Sequence, residues 1–145
     1  MRPLLLLALF LVGACQRPAD RHSVKLKHFK GFPPEVSGCS CFFAGSEKEI
    51  AREQYLFVSD LDSAGFISIE GKLSRLRLQR SDAAPDDPWQ KRKTEVFTNE
   101  YYKLIIRTEG RESSADEVWE VQGTMQLFFK ENPVDSVRFI GECGC

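Results

Sequence analysis

The sequence predicts an all-β fold, a single antiparallel sandwich or small barrel. Three observations support this prediction: apolar and polar residues alternate along several short segments, turn-forming residues separate these segments, and a Cys-x-Cys unit stands at each end of the expected folded region. Alternation with a period of two is typical of strands that bury one face. Several such strands with turn signals between them are typical of sandwiches and barrels.

The first element is a short apolar segment with the residue order of an export signal. Arg2 precedes a leucine-rich run that ends in Gly13-Ala14 and is followed by Cys15. This order is typical of a signal peptide, and the run is shorter than the roughly 20 apolar residues that cross a bilayer. Val12-Gly13-Ala14-Cys15 resembles the bacterial lipobox, so residues 1–14 are expected to be removed and Cys15 to be lipidated. An ordinary secretory signal that leaves Cys15 unmodified is the alternative.

Residues 15–34 are expected to form a flexible tether between the lipidated cysteine and the domain. The segment is polar and basic, contains Pro18 and Pro33-Pro34, and shows little apolar periodicity. Its basic residues are spread out, so we expect a solvated linker, with contact to anionic headgroups as the alternative. Gln16, rather than Asp, follows the cysteine, as in similar lipoproteins that Gram-negative cells pass to the outer membrane. The expected location is the outer membrane, on its periplasmic side rather than on the cell surface.

Residues 35–145 are expected to form one β-rich domain. The clearest strand is Glu117–Lys130, in which apolar and polar residues alternate over its whole length. Gly123 in its middle has no side chain to pack, which predicts a bend or bulge. The other candidate strands are Gln54–Ser59, Gly65–Glu70, Lys72–Gln79, Lys93–Thr98, Glu100–Thr108 and Asp135–Glu142.

One segment favours a helix and another a long loop. Ser46 and Glu49 fit the Ser-x-x-Glu capping box, so a short helix is expected near residues 46–54, with a loop as the equal alternative. Residues 80–92 combine prolines with acidic residues and predict a loop that carries Trp89. An aromatic side chain on a polar loop is a candidate contact for a partner, although large aromatics more often fold back over a core.

The four cysteines of the domain, Cys39, Cys41, Cys143 and Cys145, are expected to form two disulfides. An exported protein meets an oxidising environment, and the even number leaves no unpaired thiol once Cys15 carries lipid. Antiparallel neighbouring strands would pair Cys39 with Cys145 and Cys41 with Cys143, whereas parallel strands would pair Cys39 with Cys143 and Cys41 with Cys145. A metal site and a thiol-exchange site are the alternatives. Zinc sites usually have wider spacing, and no Cys-x-x-Cys is present.

The distribution of reactive residues predicts binding rather than catalysis, so we expect no enzyme. His22 and His28 both lie in the expected tether, and Ser-His-Asp, Cys-His and His-ligated zinc chemistry all need an imidazole. Asp86-Asp87 is expected to be solvated. Asp60–Gly65 begins like a calcium loop but lacks the fifth and twelfth ligands, so a hairpin turn is expected. No cofactor or metal is expected, and the net charge of −1 argues against a nucleic-acid partner.

Two cysteine motifs carry a resemblance to known proteins. Gly38-Cys39-Ser40-Cys41-Phe42-Phe43 and Gly141-Glu142-Cys143-Gly144-Cys145 resemble the motifs of a group of small bacterial lipoproteins and secreted proteins. The resemblance implies a β-rich domain with paired cysteines and implies no activity. A weaker, fold-level similarity is to small periplasmic lipoproteins that inhibit c-type lysozymes with a β-barrel.

Together these observations predict a lipid-anchored envelope protein that acts as a non-catalytic binding module. Its expected partners are the membrane, through the lipid anchor, and a protein or envelope ligand. A Cys-based metal-binding or thiol-redox protein is one alternative. A periplasmic lipoprotein similar to the lysozyme inhibitors is the other.

Overall fold

The computed structural model describes residues 23–83, 92–111 and 117–145. Within these ranges the chain forms eleven strands and one helix. In chain order they are β1 (Leu26–Lys27), β2 (Phe29–Lys30), β3 (Ser40–Ala44), α1 (Glu47–Ala51), β4 (Gln54–Tyr55), β5 (Phe57–Ser59), β6 (Ala64–Ile69), β7 (Lys72–Ser81), β8 (Arg92–Thr98), β9 (Tyr102–Gly110), β10 (Val118–Phe129) and β11 (Asn132–Gly144).

Eight of these strands form a closed antiparallel barrel. Their order is β6-β5-β3-β11-β10-β9-β8-β7, and the pairing of β7 with β6 closes the ring. β1 lies outside the ring and pairs with β6, and β2 and β4 form a separate two-stranded sheet. The all-β prediction is confirmed, and of the two architectures that it left open, the barrel is observed. None of the described residues form a helix long and apolar enough to span a bilayer.

The two ends of the barrel carry different residues, and we name each end by its most distinctive group. The cystine end is where β3 and β8 begin and where β7, β9 and β11 finish, at Ser40, Arg92, Ser81, Gly110 and Gly144. The tyrosine end is where β9 begins and where β6, β8 and β10 finish, at Tyr102, Ile69, Thr98 and Phe129. β1 joins the barrel at the tyrosine end, because Leu26 pairs with Ile69.

The barrel interior is filled with side chains. In β10, Val121, Met125 and Leu127 are buried, and Gln122 and Thr124 between them are exposed. The same alternation in the other strands brings large apolar groups together, and burying one of them stabilises the fold by about 1.5–3 kcal/mol. The largest fully buried side chains include Phe43, Phe57, Ile67, Leu76, Leu104, Ile106, Met125 and Leu127. An eight-stranded barrel is just wide enough for such a packed interior.

The folded domain begins earlier than the sequence predicted. Leu26 is buried against the barrel core, and Val36 packs with Tyr55 and Phe66 in a second apolar cluster outside the barrel wall. We call residues 26–38 the amino-terminal belt. The belt follows no single period, because its apolar residues contact different strands in turn, and for this reason the sequence assigned residues up to 34 to the tether.

His28 is a second difference from the sequence analysis. It was assigned to the tether, but its Nε2 atom lies 3.2 Å from Oε2 of Glu49, and the two side chains are 41% and 30% exposed. The prediction that both histidines lie in the tether is therefore wrong for His28. His28 lies on the domain surface, where it links the belt to α1.

The short helix predicted near residues 46–54 is confirmed as α1, with Ser46 as its N-cap. The Ser46 hydroxyl accepts a hydrogen bond from the Glu49 amide at 3.4 Å. The Glu49 carboxylate accepts one from the Gly45 amide at 2.7 Å, one residue before the position that the reciprocal bond of a capping box would use. The helix is short because Arg52 caps it and Glu53 takes a positive φ of 55°.

Gly123 permits a close approach of strands. The register of β10 with both neighbours is continuous through Gly123, and the irregularity lies between Leu127 and Phe128. The prediction of a bulge at Gly123 is therefore wrong. A Cβ atom at Gly123 would collide with the carbonyl oxygen of Arg107 and lie 3.0 Å from Cζ of Phe139.

Candidate binding site on the barrel wall

Because side chains fill the interior, the outer wall and the two ends of the barrel are the surfaces on which a ligand can bind. Ligand-binding barrels keep space between their inward side chains. Here Phe43 stacks on Phe57 and on Phe139, with ring centroids 5.3 and 4.1 Å apart, and Phe57 packs edge-on against Phe97. These rings occupy the middle of the barrel.

Both predicted disulfides are present at the cystine end. Cys39 is bonded to Cys145 and Cys41 to Cys143, which is the pairing expected for antiparallel strands. The register explains it, because β3 and β11 are antiparallel and Cys41 lies directly opposite Cys143. The Cys41–Cys143 bond belongs to the core, with its two residues 2% and 1% exposed, whereas Cys39 and Cys145 are exposed.

A groove of about 280 Å³ crosses the outer wall near the cystine end. It lies over β8, β9 and β10, whose register aligns Thr94 with Arg107 and Arg107 with Thr124. The lining residues are Asp82, Arg92, Lys93, Thr94, Arg107, Thr108, Glu109, Gly123 and Thr124. The side chains of Arg107 and Thr124 belong to exposed residues.

The charges of the groove are partly paired. Nη2 of Arg92 lies 3.2 Å from Oε1 of Glu109, and Oδ1 of Asp82 accepts a hydrogen bond from the Thr94 amide. The guanidinium of Arg107 has no hydrogen bond or ion pair with the part of the chain that the structure describes. An exposed guanidinium presents planar donors that match a carboxylate or a phosphate, and threonine hydroxyls both donate and accept. The groove can therefore bind a polar group that carries negative charge.

A partly buried ion pair lies on the inner side of the same wall. Nζ of Lys93 is 3.1 Å from Oε1 of Glu95, and the two side chains are 19% and 15% exposed. Lys93 is in register with Thr108, whose buried hydroxyl has no hydrogen-bond partner among the described residues. The sequence predicted a strand here but no role for these residues, because an inward lysine and an inward glutamate two residues apart look the same as a solvated face.

The Asp60 turn is a hairpin turn, as the sequence predicted. It joins β5 to β6, and Oδ1 of Asp60 accepts hydrogen bonds from the amides of Asp62, Ser63 and Ala64 at 2.9–3.0 Å. Burial acts to raise the pKa of Asp60, but these backbone donors outweigh it and the pKa is lowered. The carboxylate that would begin a calcium loop instead fixes the turn.

The remaining predicted site residues lie outside the described residues. Cys15, the predicted lipidation site, precedes residue 23, and Trp89, the predicted partner contact, belongs to residues 84–91. Asp82 lines the groove just before that segment, and Arg92 lines it just after. Among the described residues, no group of three or more His, Cys, Asp or Glu side chains could hold a metal ion.

Comparison with known proteins gives no match for this chain among family models, curated proteins or solved structures. The class that the fold defines is a closed eight-stranded antiparallel barrel with two disulfides at one end.

Proposed function

We propose that the protein is a lipid-anchored, non-catalytic binding module of the bacterial envelope. The observation that carries the proposal is that the chain leading to the expected lipid anchor and the groove lie at opposite ends of the barrel. The chain leading back to Cys15 joins at the tyrosine end, through Leu26 and Ile69, and the groove lies near the cystine end, at Arg92 and Glu109. An anchored molecule of this shape presents the groove away from the membrane.

Two further features support an exported binding module. The two disulfides fit an oxidising compartment, where such bonds persist. They also use all four sulfurs that a tetrahedral thiolate site would need. A closed, filled and cross-linked barrel is a rigid support for surface groups, and rigidity lowers the ordering cost of binding.

The proposed ligand is a protein or envelope component that presents a carboxylate or phosphate to the groove. Arg107 and Thr124 lie side by side in the β9–β10 register. Arg107 supplies a charge that has no ion pair among the described residues, and the hydroxyls of Thr94 and Thr124 flank it on the neighbouring strands. Binding through an exposed arginine is expected to weaken as the salt concentration rises.

A pull-down from envelope extract tests this proposal. The matched variants are Arg107→Glu in the groove and Arg77→Glu on β7, since both arginines are exposed strand residues without an ion pair among the described residues. A component retained by wild type and Arg77→Glu, but lost by Arg107→Glu, supports the groove. A component retained equally by all three, or by none, contradicts it. Trp89→Ala in the same experiment tests the separate prediction for the 80–92 loop.

A thiol-exchange protein is the second candidate, and the exposure of Cys39 and Cys145 favours it. A thiolate of a partner would attack one of these sulfurs, form a mixed disulfide and release the other sulfur as a thiolate. Alkylation and mass spectrometry after graded reduction test this candidate. Reduction of Cys39–Cys145 by the glutathione pool, with Cys41–Cys143 intact, supports it. Two bonds that both resist this reduction contradict it.

A further inference from the structure

The tyrosine end of the barrel has a surface that the binding groove does not explain. Tyr101, in the turn between β8 and β9, is 50% exposed, and Leu73 on β7 is 49% exposed. The Tyr102 ring lies between those of Tyr101 and Phe129, with centroids 6.5 and 5.5 Å away. The side chain of Asn99 holds this turn by accepting hydrogen bonds from the amides of Tyr101 and Tyr102 at 2.9 and 2.8 Å.

Five lysines also lie at the tyrosine end: Lys25, Lys27, Lys72, Lys103 and Lys130. Nζ of Lys130 lies 5.4 Å from the Phe129 ring centroid, and Nζ of Lys103 lies 4.8 Å from that of Phe128. Lys72 is at the start of β7, opposite Ile69. Lys25 and Lys27 flank Leu26, which pairs with the same Ile69.

The carboxylates of this end offset part of that positive charge. Glu131 pairs with Lys103 at 2.7 Å, and Asp135 accepts a hydrogen bond from the Leu26 amide at 2.9 Å. Glu100 is in the turn beside Tyr101. Burial and the neighbouring Glu70 carboxylate raise the pKa of Tyr102. The described lysines thus exceed the described carboxylates by a small margin, and the aromatic groups are the more distinctive feature.

The chain between Cys15 and the domain is short, and its length limits how far the tyrosine end can lie from a lipid on Cys15. Eight peptide units connect Cys15 to Ser23, the first described residue. At about 3.3–3.6 Å for each residue, they span at most about 26–29 Å. The chain enters the barrel at the tyrosine end, because Leu26 pairs with Ile69. A lipid on Cys15 would therefore hold this end, and not the cystine end, close to the bilayer.

We propose that the tyrosine end is a membrane-contact surface, which rests on the anionic lipid headgroups of the bilayer that holds the lipid anchor. Tyrosine side chains favour the headgroup region, where an apolar ring and a polar hydroxyl are both accommodated. Lysine stems extend along apolar surface and place their ammonium groups near lipid phosphates. The inference depends on the lipid anchor of the proposed function. It adds the orientation of the barrel, with β strands ending at the membrane and the groove facing away.

A lysine-labelling experiment tests the orientation. The mature protein, on vesicles that contain phosphatidylglycerol, and the full chain with Cys15→Ser, in solution, are treated with a water-soluble acetylating reagent and analysed by mass spectrometry. We expect several-fold slower labelling of Lys72 and Lys130 on vesicles. Lys48 on α1 is the internal control and is expected to react at nearly the same rate in both samples. It is exposed, and its helix neighbours Glu47 and Ile50 lie beside Arg111 and Glu120 near the cystine end.

Surface variants sharpen the test. Tyr101→Ser combined with Leu73→Ser removes the two exposed apolar groups of the tyrosine end, and Leu61→Ser removes a 37% exposed leucine from the cystine end. The first variant is expected to stay on vesicles through its lipid while Lys130 regains reactivity. The Leu61→Ser control is expected to behave as wild type.

The outcomes separate the inference from the proposed function. Native protein without acyl chains on Cys15 contradicts the anchor itself. Acylated protein in which Lys72 and Lys130 react as fast as in the Cys15→Ser protein contradicts the contact surface and leaves the anchor standing. Protection of these lysines in the Cys15→Ser protein without vesicles, increasing with its concentration, would show that a second copy of the chain occupies the surface and would overturn the lipid assignment.

Discussion

Opening the exposed disulfide is expected to destabilise the protein far less than opening both disulfides. In the variant Cys39→Ser with Cys145→Ser, the lost bond joins residues 106 apart, but Cys41–Cys143, which joins residues 102 apart, keeps nearly the same loop closed. Only the small ring between the two bonds is opened. For a ring of about six residues, the chain-entropy model gives a loss of about 2 kcal/mol.

Whichever disulfide is removed second, its removal opens the whole loop between the two pairs of cysteines. A loop of about 100 residues contributes about 4.7 kcal/mol in the same model, so replacing all four cysteines is expected to lower the free energy of unfolding by about 7 kcal/mol. Replacing Cys41 and Cys143 alone opens the same small ring but also removes packed sulfur from the core, since these residues are 2% and 1% exposed. That variant is expected to lose more than the exposed pair does.

Urea unfolding under non-reducing conditions, followed by circular dichroism, measures these differences. The total stability of small domains is typically about 5–15 kcal/mol, so a loss of about 7 kcal/mol is expected to remove about half of that stability or more. Because the two bonds share a loop, the loss for all four replacements must exceed the sum of the two separate losses. A loss of 4–5 kcal/mol on opening Cys39–Cys145 alone, or simple additivity, would refute the shared-loop reasoning.

Two further predictions concern single residues. Gly123→Ala is expected to lower the free energy of unfolding by about 1–3 kcal/mol, because the added Cβ meets the Arg107 carbonyl oxygen. The control Thr124→Ala, at an exposed neighbouring position, is expected to change it by less than about 0.5 kcal/mol. Equal urea midpoints for the two variants would show that β9 and β10 can separate freely. Asp60→Asn is expected to be less stable than wild type at pH 7, since the lowered pKa of Asp60 gives the folded state an advantage above the unfolded value of about 3.9. That advantage is lost as pH falls from the unfolded value through the lower folded pKa, so the difference in stability between the two proteins should shrink as the pH of acid unfolding is lowered. A difference independent of pH would contradict the role of the charge.

Much of the barrel wall could be predicted from local pattern. The alternation of β10 is visible because every second residue enters one continuous core, and the strand predicted as Glu117–Lys130 is observed as Val118–Phe129. The predicted Lys93–Thr98 is observed as Arg92–Thr98 in the same way. Turn residues between such segments mark the hairpins.

Other parts of the fold depend on contacts between distant residues. The barrel closes because β6 pairs with β7 on one side and with β5 on the other. The strands of a sandwich and of a barrel show the same alternation of apolar and polar residues, so the sequence pattern does not reveal this closing pair. The choice between the two disulfide pairings needed the direction of β3 relative to β11. The belt was missed because β1 and β2 have two residues each, too few to show a period.

The candidate groove could not be predicted from the sequence. Arg107 sits at an outward position of a strand, where the sequence predicts only a solvated side chain. Its significance comes from the register of three strands, which places Thr94 and Thr124 beside it. The cysteines were recognisable as a set because their spacing is unusual, whereas one arginine among many carries no such signal.

The amino-terminal belt has a mechanical consequence. Tension on Cys15 would first load the two-residue ladder between Leu26 and Ile69 and could peel the belt from the wall. Peeling would stop at Cys39, because the covalent bond to Cys145 fixes that point to the far end of the barrel. The 13 peptide units from Leu26 to Cys39, once released, would extend to about 43–47 Å. Under tension the tether would thus become longer, while the barrel beyond the disulfide stayed folded.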